Sequence, residues 1–418
     1  MGLVIVELPN LVYPISLIID DGMPIVTPRR CADIVNGNCA EKNDVDPWDI
    51  MDGLLSLTAE FGVKGKLSLV PYRKELGMID MLTDPVIKEH LSDFTAVIRE
   101  KVMPHYDITP EIISHGPVID IVTDLPIARQ YTEKDGVDST VRPELLNEAR
   151  WSQTQDEDTL EKYIGRALTA LKNVGVIANG VTSPWDFGIA NEAAYSRAVG
   201  NALRRVNDIS GGWYFLHTPT NDDLSPRLQS FEWSSGSYVV SIMASGHMVD
   251  MTVAERVGPD PDRQADVYLS ADGAAGAMAD LIHGKSPVIL CGHWQCLEKG
   301  LAVYREVFRR LALHHGAKVQ WMTCSSIARY FAAAKTFRVA RSNGGDILLE
   351  SAIECPDFTI RMPMDRAVRQ LMIHGVVLER DDNSGYLANG KWRQTDGVLY
   401  ICFDLKKRTV ISVQFEGQ

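Results

Sequence analysis

From the N-terminus to about residue 331, short apolar runs alternate with longer stretches in which apolar residues recur every three or four positions. The short runs, at 16–21, 66–71, 111–115, 180–184, 213–218, 238–244, 288–293 and 319–323, predict strands. The stretches 48–61, 86–102, 159–174, 192–206, 274–282 and 301–314 predict amphipathic helices. Strand and helix in alternation imply parallel strands joined by crossovers. Repetition on this scale predicts an α/β fold, a (β/α) barrel of about seven or eight strands over residues 1–332.

After Phe331 the pattern changes period. Residues 336–342, 347–353, 358–362, 371–378, 398–404 and 409–415 are strand-like, separated by turn signals such as Asn343-Gly344-Gly345 and Asp382-Asn383-Ser384-Gly385. Ile411, Val413 and Phe415 alternate with Val410, Ser412 and Gln414, one face mostly apolar and the other mixed. Residues 333–418 therefore predict a C-terminal all-β domain, a small antiparallel sandwich.

Composition narrows the class. The chain has 418 residues, 45% of them apolar, with 42 Lys and Arg against 55 Asp and Glu and a net charge of −13. That balance argues against nucleic acid as a partner, since phosphate contacts are made by clustered cations. No window approaches the roughly 18 apolar residues that span a bilayer. The first nineteen residues are apolar but carry Glu7 and no basic leader, and read as the start of the fold. The cysteines, Cys31, Cys39, Cys291, Cys296, Cys324, Cys355 and Cys402, are scattered in apolar surroundings. They predict buried thiols in a reducing, cytoplasmic setting rather than a disulfide framework.

Chemistry in a barrel is expected where strands end, because the loops leaving their C-terminal edge build the site. The first strand closes on Asp20-Asp21-Gly22. Adjacent carboxylates after four apolar residues are costly unless a cation, metal or substrate uses them. Two further runs end in histidine, Glu111-Ile112-Ile113-Ser114-His115 and Leu290-Cys291-Gly292-His293. A lone histidine is usually structural. Two at strand ends, with a double aspartate at a third, converge on one mouth.

This arrangement resembles the polysaccharide deacetylase family, the NodB-like carbohydrate esterases. Ile19-Asp20-Asp21-Gly22 matches the family's first motif, Glu111-Ile112-x-x-His115 the first half of its second, and Leu290-Cys291-Gly292-His293 its last. The resemblance covers roughly residues 10–331 and implies deacylation, with Asp20 as base, His293 as acid, and Asp21 and His115 as ligands of a divalent ion, zinc first. Ile119 stands where the second motif histidine would fall, so Asp120 beside it is the expected substitute ligand. Thr182-Ser183-Pro184 stands where the family carries an arginine that orients the catalytic aspartate. Asp186, His217 and His247, near other strand ends, could supply the missing ligand or contact substrate, and Trp185 and Trp294 could wall a sugar or ring.

The expected activity is hydrolysis of an acyl group on a carbohydrate, or cleavage of a small amide. Two alternatives remain open on sequence: other acid-base chemistry on a sugar, such as glycoside cleavage or elimination, and a non-catalytic carbohydrate-binding protein. Homo-oligomer formation is left open, and neither nucleic acid nor membrane is expected as a partner.

Overall fold

In a computed structural model, the structure describes residues 4–22, 24, 47–73, 76–128, 146–217, 224–247, 258–282, 287–341, 346–383 and 385–417. Cys31 and Cys39 lie outside these residues, as does Thr218. Among the described residues, no helix is long and apolar enough to cross a membrane.

Parallel strands form the core of the larger part: β1 (Tyr13–Gly22), β2 (Gly65–Leu69), β3 (Tyr106–Pro110), β4 (Val181–Ser183), β5 (Gly211–Leu216), β6 (Ser237–Met243), β7 (Val288–His293) and β8 (Val319–Trp321). They fall into two ladders rather than one. β7, β1, β2 and β3 run side by side, with β8 on the start of β1, while β4, β5 and β6 form a second parallel set edged by the antiparallel strand Arg227–Glu232. Single backbone bonds bridge the seams, Asn179 N–H to the Ile108 carbonyl at 3.2 Å and Ser245 N–H to that of Ile289 at 2.9 Å. The expected closed barrel is thus a mixed α/β array whose described strands do not complete a continuous ladder.

Outward-facing residues such as Leu17, Ile19, Leu67 and Leu69 pack beneath helices α1 (Pro47–Phe61), α2 (Pro85–Val97), α3 (Glu157–Asn173), α4 (Glu192–Asn207) and α5 (Trp294–His315). Caps set where these begin. Asp84 accepts from Val86 N–H at 2.8 Å ahead of Pro85 in α2, and Asp156 accepts from Thr159 N–H at 2.9 Å for α3. Inward-facing residues follow the two-residue period of a strand. On β1, β2 and β4 several are polar and wholly buried, Ser16, Asp20, Lys66, Ser68 and Thr182. On β5 to β7 the inward face is mostly apolar, with Trp213, Phe215, Val240, Ile242 and Ile289.

One predicted strand is corrected. Residues 111–115 are not extended; the strand is Tyr106–Pro110, and Glu111 begins a turn in which Ile112 and His115 take φ of 47° and 51°. The last bond to β2 runs from Glu111 N–H to the Leu69 carbonyl at 2.9 Å, and the left-handed backbone at Ile112 ends the extended run.

Helix α6 (Cys324–Thr336) leads to two five-stranded sheets. One carries Cys355–Pro363, Val398–Leu405 and Lys391–Thr395, the other Ile347–Glu350, Arg408–Phe415 and Val368–Ile373. Pairing is antiparallel except between Glu379–Arg380 and Lys391–Thr395. The N-terminal strand Ile5–Val6 joins the first sheet, Ile5 opposite Arg361 and Val6 opposite Ile360. Cys291, Cys324, Cys355 and Cys402 are buried thiols.

Candidate active site

A bulge in β1 makes the site. Between Ile19 and Gly22 the pairing with β2 slips by one residue, and Asp21 takes φ of 62°. Consecutive residues of a regular strand face opposite ways, whereas a bulge re-aims one of them. Asp20 points to the interior and Asp21 toward the loop after β3.

Asp20 is 0% exposed and surrounded by donors. Lys66 Nζ forms an ion pair with Oδ1. Ser68 Oγ lies 3.0 Å from the same oxygen. His217 Nε2 lies 3.0 Å from Oδ2, and the Cys291 thiol donates to Oδ2 at 3.4 Å. Burial alone would raise the Asp20 carboxyl, but the Lys66 ammonium, His217 and His293 hold it well below the usual carboxylate range. Burial would lower His217, yet the Asp20 charge wins and raises it. Both ring nitrogens of His217 face oxygen, Nδ1 lying 2.8 Å from the Ser183 carbonyl, which suits an imidazolium donating twice. Cys291, pushed well above its ordinary value by burial and by Asp20, is a donor and not a thiolate nucleophile.

Beside this cluster lies a second one. Asp21, Glu111 and His115 place ligand-type atoms within 4.8 Å of one another. His115 Nε2 is 3.3 Å from Asp21 Oδ1 and 3.4 Å from Glu111 Oε1. The other Glu111 oxygen accepts from Ser68 Oγ at 2.6 Å and from the Asp21 N–H at 2.8 Å, joining the two clusters. Burial and the charges of Asp21 and Asp20 raise the Glu111 carboxyl. His115 is raised, burial notwithstanding, by Asp21, Glu111 and Glu148. Glu148, wholly buried, accepts from the Tyr163 hydroxyl at 3.0 Å, and burial pushes it up to about 7 against the pull of His115.

Asp20, Asp21, His115, His217 and His293 come together: His293 ends β7 opposite Asp20 in the ladder, and its ring lies 6.4 Å from that of His217 at 19°. Trp185, half-buried with φ of 46°, lies against His115 with ring centroids 4.4 Å apart. Asp186 is exposed beside it. The backbone of His247 pairs with Cys291 at the edge of the first ladder. Asp120 stands apart from the ligand cluster. Its carboxylate accepts from Val122 N–H at 2.8 Å and Thr123 N–H at 3.0 Å, closing a turn. Trp294 is no wall of the site either, because as the first residue of α5 it is buried in the helical layer, edge-on to Phe94 at 6.2 Å.

Sequence reasoning passed over Lys66, Ser68, Glu148 and any role for Glu111. One signal was there to find. Lys66 and Ser68 alternate with Leu67 and Leu69 in a strand every residue of which is buried, so both polar side chains share one inward face.

No protein-family model matches the chain. Over 108 residues it is 29% identical to the retrovirus-related Pol polyprotein from transposon TNT 1-94 of Nicotiana tabacum, a stretch that is 25% of this chain and 8% of that protein. The chain thus spans less than a tenth of that relative. Similar solved structures include a probable polysaccharide deacetylase from Pseudomonas aeruginosa PAO1, with TM-score 0.43, 12% identity, and coverage of 77% of this chain and 91% of the other. A putative polysaccharide deacetylase from Mycobacterium smegmatis gives 0.43, 14%, 80% and 96%. A PuuE allantoinase gives 0.41, 12%, 76% and 89%.

Proposed function

We propose that this chain is a hydrolase of the deacetylase type, removing an acyl group from a carbohydrate or cleaving a small amide. Asp20 and His293 handle the protons beside a divalent-ion site made by Asp21, Glu111 and His115. The observation that carries this reading is the convergence of those three ligand atoms within 4.8 Å, next in sequence to a fully buried Asp20.

The donor set fits an ion. Two carboxylates and an imidazole supply the three protein ligands that zinc keeps in catalytic sites. Glu111 Oε1 is buried without a hydrogen-bond partner among the described residues, its approach to His115 Nε2 being an ion-pair distance of 3.4 Å. Glu111 thereby takes the place expected of Asp120, and zinc is the first choice. When bound, such an ion supplies Lewis-acid polarisation of the acyl carbonyl and a more acidic water.

The chain's own groups do the rest. Lys66 holds Asp20 by Oδ1, and Oδ2, on the side of His217 and His293, accepts the proton of the attacking water. His293, across the ladder from Asp20, donates to the leaving group. For the transfer to Asp20 the water must take the place of His217 Nε2, which lies 3.0 Å from Oδ2. Trp185, lying against His115, offers an apolar edge for a sugar or ring.

Acetate and ammonia release from a panel of acylated sugars and small amides, with elemental analysis of the purified chain, tests the reading. Hydrolysis that a chelator abolishes and zinc restores is the expected result. A chain that retains no divalent ion and releases neither product refutes it.

A further inference from the structure

We propose that Lys66 is the positioning residue for Asp20, a buried ammonium that fixes which carboxylate oxygen is available for proton transfer. The inference deepens the reading of Asp20 as base and rests on it for its functional meaning. Lys66 is 0% exposed in the middle of β2. Its Nζ touches Asp20 Oδ1, lies 2.6 Å from Thr182 Oγ1, and sits 4.7 Å from the centroid of the Phe215 ring. Thr182 is itself held by Thr109, their hydroxyl oxygens 2.8 Å apart. A single chain of contacts therefore runs Thr109, Thr182, Lys66, Asp20 and crosses the seam between the two ladders.

Stability does not account for an ammonium there. Taking both charges of a pair out of water is costly, and well-packed apolar replacements of buried pairs are often neutral or stabilising. An apolar side chain would fill the space beside Phe215 without that cost. What an apolar side chain could not do is hold one oxygen of Asp20. Ser68, two residues along the same strand face, sets its Oγ 3.0 Å from that same oxygen, while its shorter contact, 2.6 Å, is to Glu111. Lys66 thus holds Oδ1 and leaves Oδ2 turned toward His217.

The test needs no substrate, so its failure is distinct from failure of the hydrolase reading. Unfolding by denaturant is measured at pH 7.5 with chelator present for the parent chain, Lys66→Met, Asp20→Asn and the double variant. The His217 Nε2 proton, which points at Asp20 Oδ2, is followed by NMR, with the exposed Lys64→Met as control. Lys66→Met is expected to unfold far more readily, and adding Asp20→Asn should recover about 100-fold or more in the unfolding constant. The His217 proton signal should move in Lys66→Met and stay in Lys64→Met. If Lys66→Met does not fold, folding of the double variant demonstrates the same coupling. Additive losses with the His217 signal unmoved, or failure of the double variant to fold, would make Lys66 a packing residue and overturn the proposal.

Discussion

Asp20 meets donors at both oxygens: Lys66 at one, His217 and Cys291 at the other. Asp20→Asn keeps the shape, removes the basicity, and is expected to lower turnover by about 100-fold or more with KM within a few-fold. Steady-state kinetics on a substrate found by the panel checks this, and near-normal turnover would make Asp20 structural. Glu148 allows a prediction independent of substrate. Its carboxyl rises from 4.5 to about 7 in the folded protein, so the native state binds a proton that the unfolded state has lost. The resulting penalty is absent below pH 4.5, grows as pH rises toward 7 and is complete above it, reaching about 3 kcal/mol. Glu148→Gln keeps an acceptor for the Tyr163 hydroxyl. In chelator, it should be more stable than the parent at pH 8 and no more stable at pH 4; equal gains at both would locate the effect elsewhere.

At the scale of elements, two irregular backbones build the site. The β1 bulge separates Asp20 from Asp21, and the turn after β3 brings Glu111 and His115 to meet Asp21. Asp21, Ile112, His115 and Trp185 all have positive φ without being glycine, a conformation that costs about 1–3 kcal/mol each and persists only where the surroundings enforce it. Glu111→Gln should preserve the turn, since the amide oxygen can still accept from Ser68 and the Asp21 N–H. It removes one anionic ligand, and zinc affinity by chelator competition is expected to fall by about 100-fold or more. Unchanged affinity would exclude Glu111 from the ligand set. The motif ending at His115 was legible in the sequence, but its backbone was not. Asp107 and Thr109 are polar residues turned inward on a strand that ends in proline, so Tyr106–Pro110 lacked the apolar run that signals a strand.

At the scale of the molecule, the β-sheets after α6 are bound to the larger part by more than one link. Ile5–Val6 pairs with Cys355–Pro363, and the Tyr330 hydroxyl on α6 donates to the Glu7 carbonyl at 2.8 Å. The Tyr330 ring meets Phe358 at 5.6 Å. Ile327, Tyr330, Phe358 and Ile360 share one apolar cluster with inward-facing Ile18 and Phe215. A chain ending at residue 332 would expose several of these side chains, each worth about 1.5–3 kcal/mol when buried. Such a truncation is expected to aggregate or to melt about 10 °C or more below the parent, and supplying 333–418 as a separate chain should restore part of the loss. A truncation that melts like the parent would show the two parts to be independent.

The alternation of apolar runs and amphipathic stretches marked seven of the eight parallel strands and the helices between them, and the change of period after Phe331 marked the β-sheets, because each pattern is set by residues close in sequence. Charge pattern and motif order likewise marked Asp20, Asp21, His115 and His293, since costly polar residues at strand ends are visible without a fold. Only the tertiary structure decided the partners. Lys66 meets Asp20 across 46 positions, Ser68 meets Glu111 across 43, and Cys291 meets Asp20 across 271. Asp120, one residue from the expected ligand position, turned instead to its own backbone neighbours. A ligand set is fixed by where side chains point, and that direction came from a bulge and a turn whose positive φ values no periodicity records.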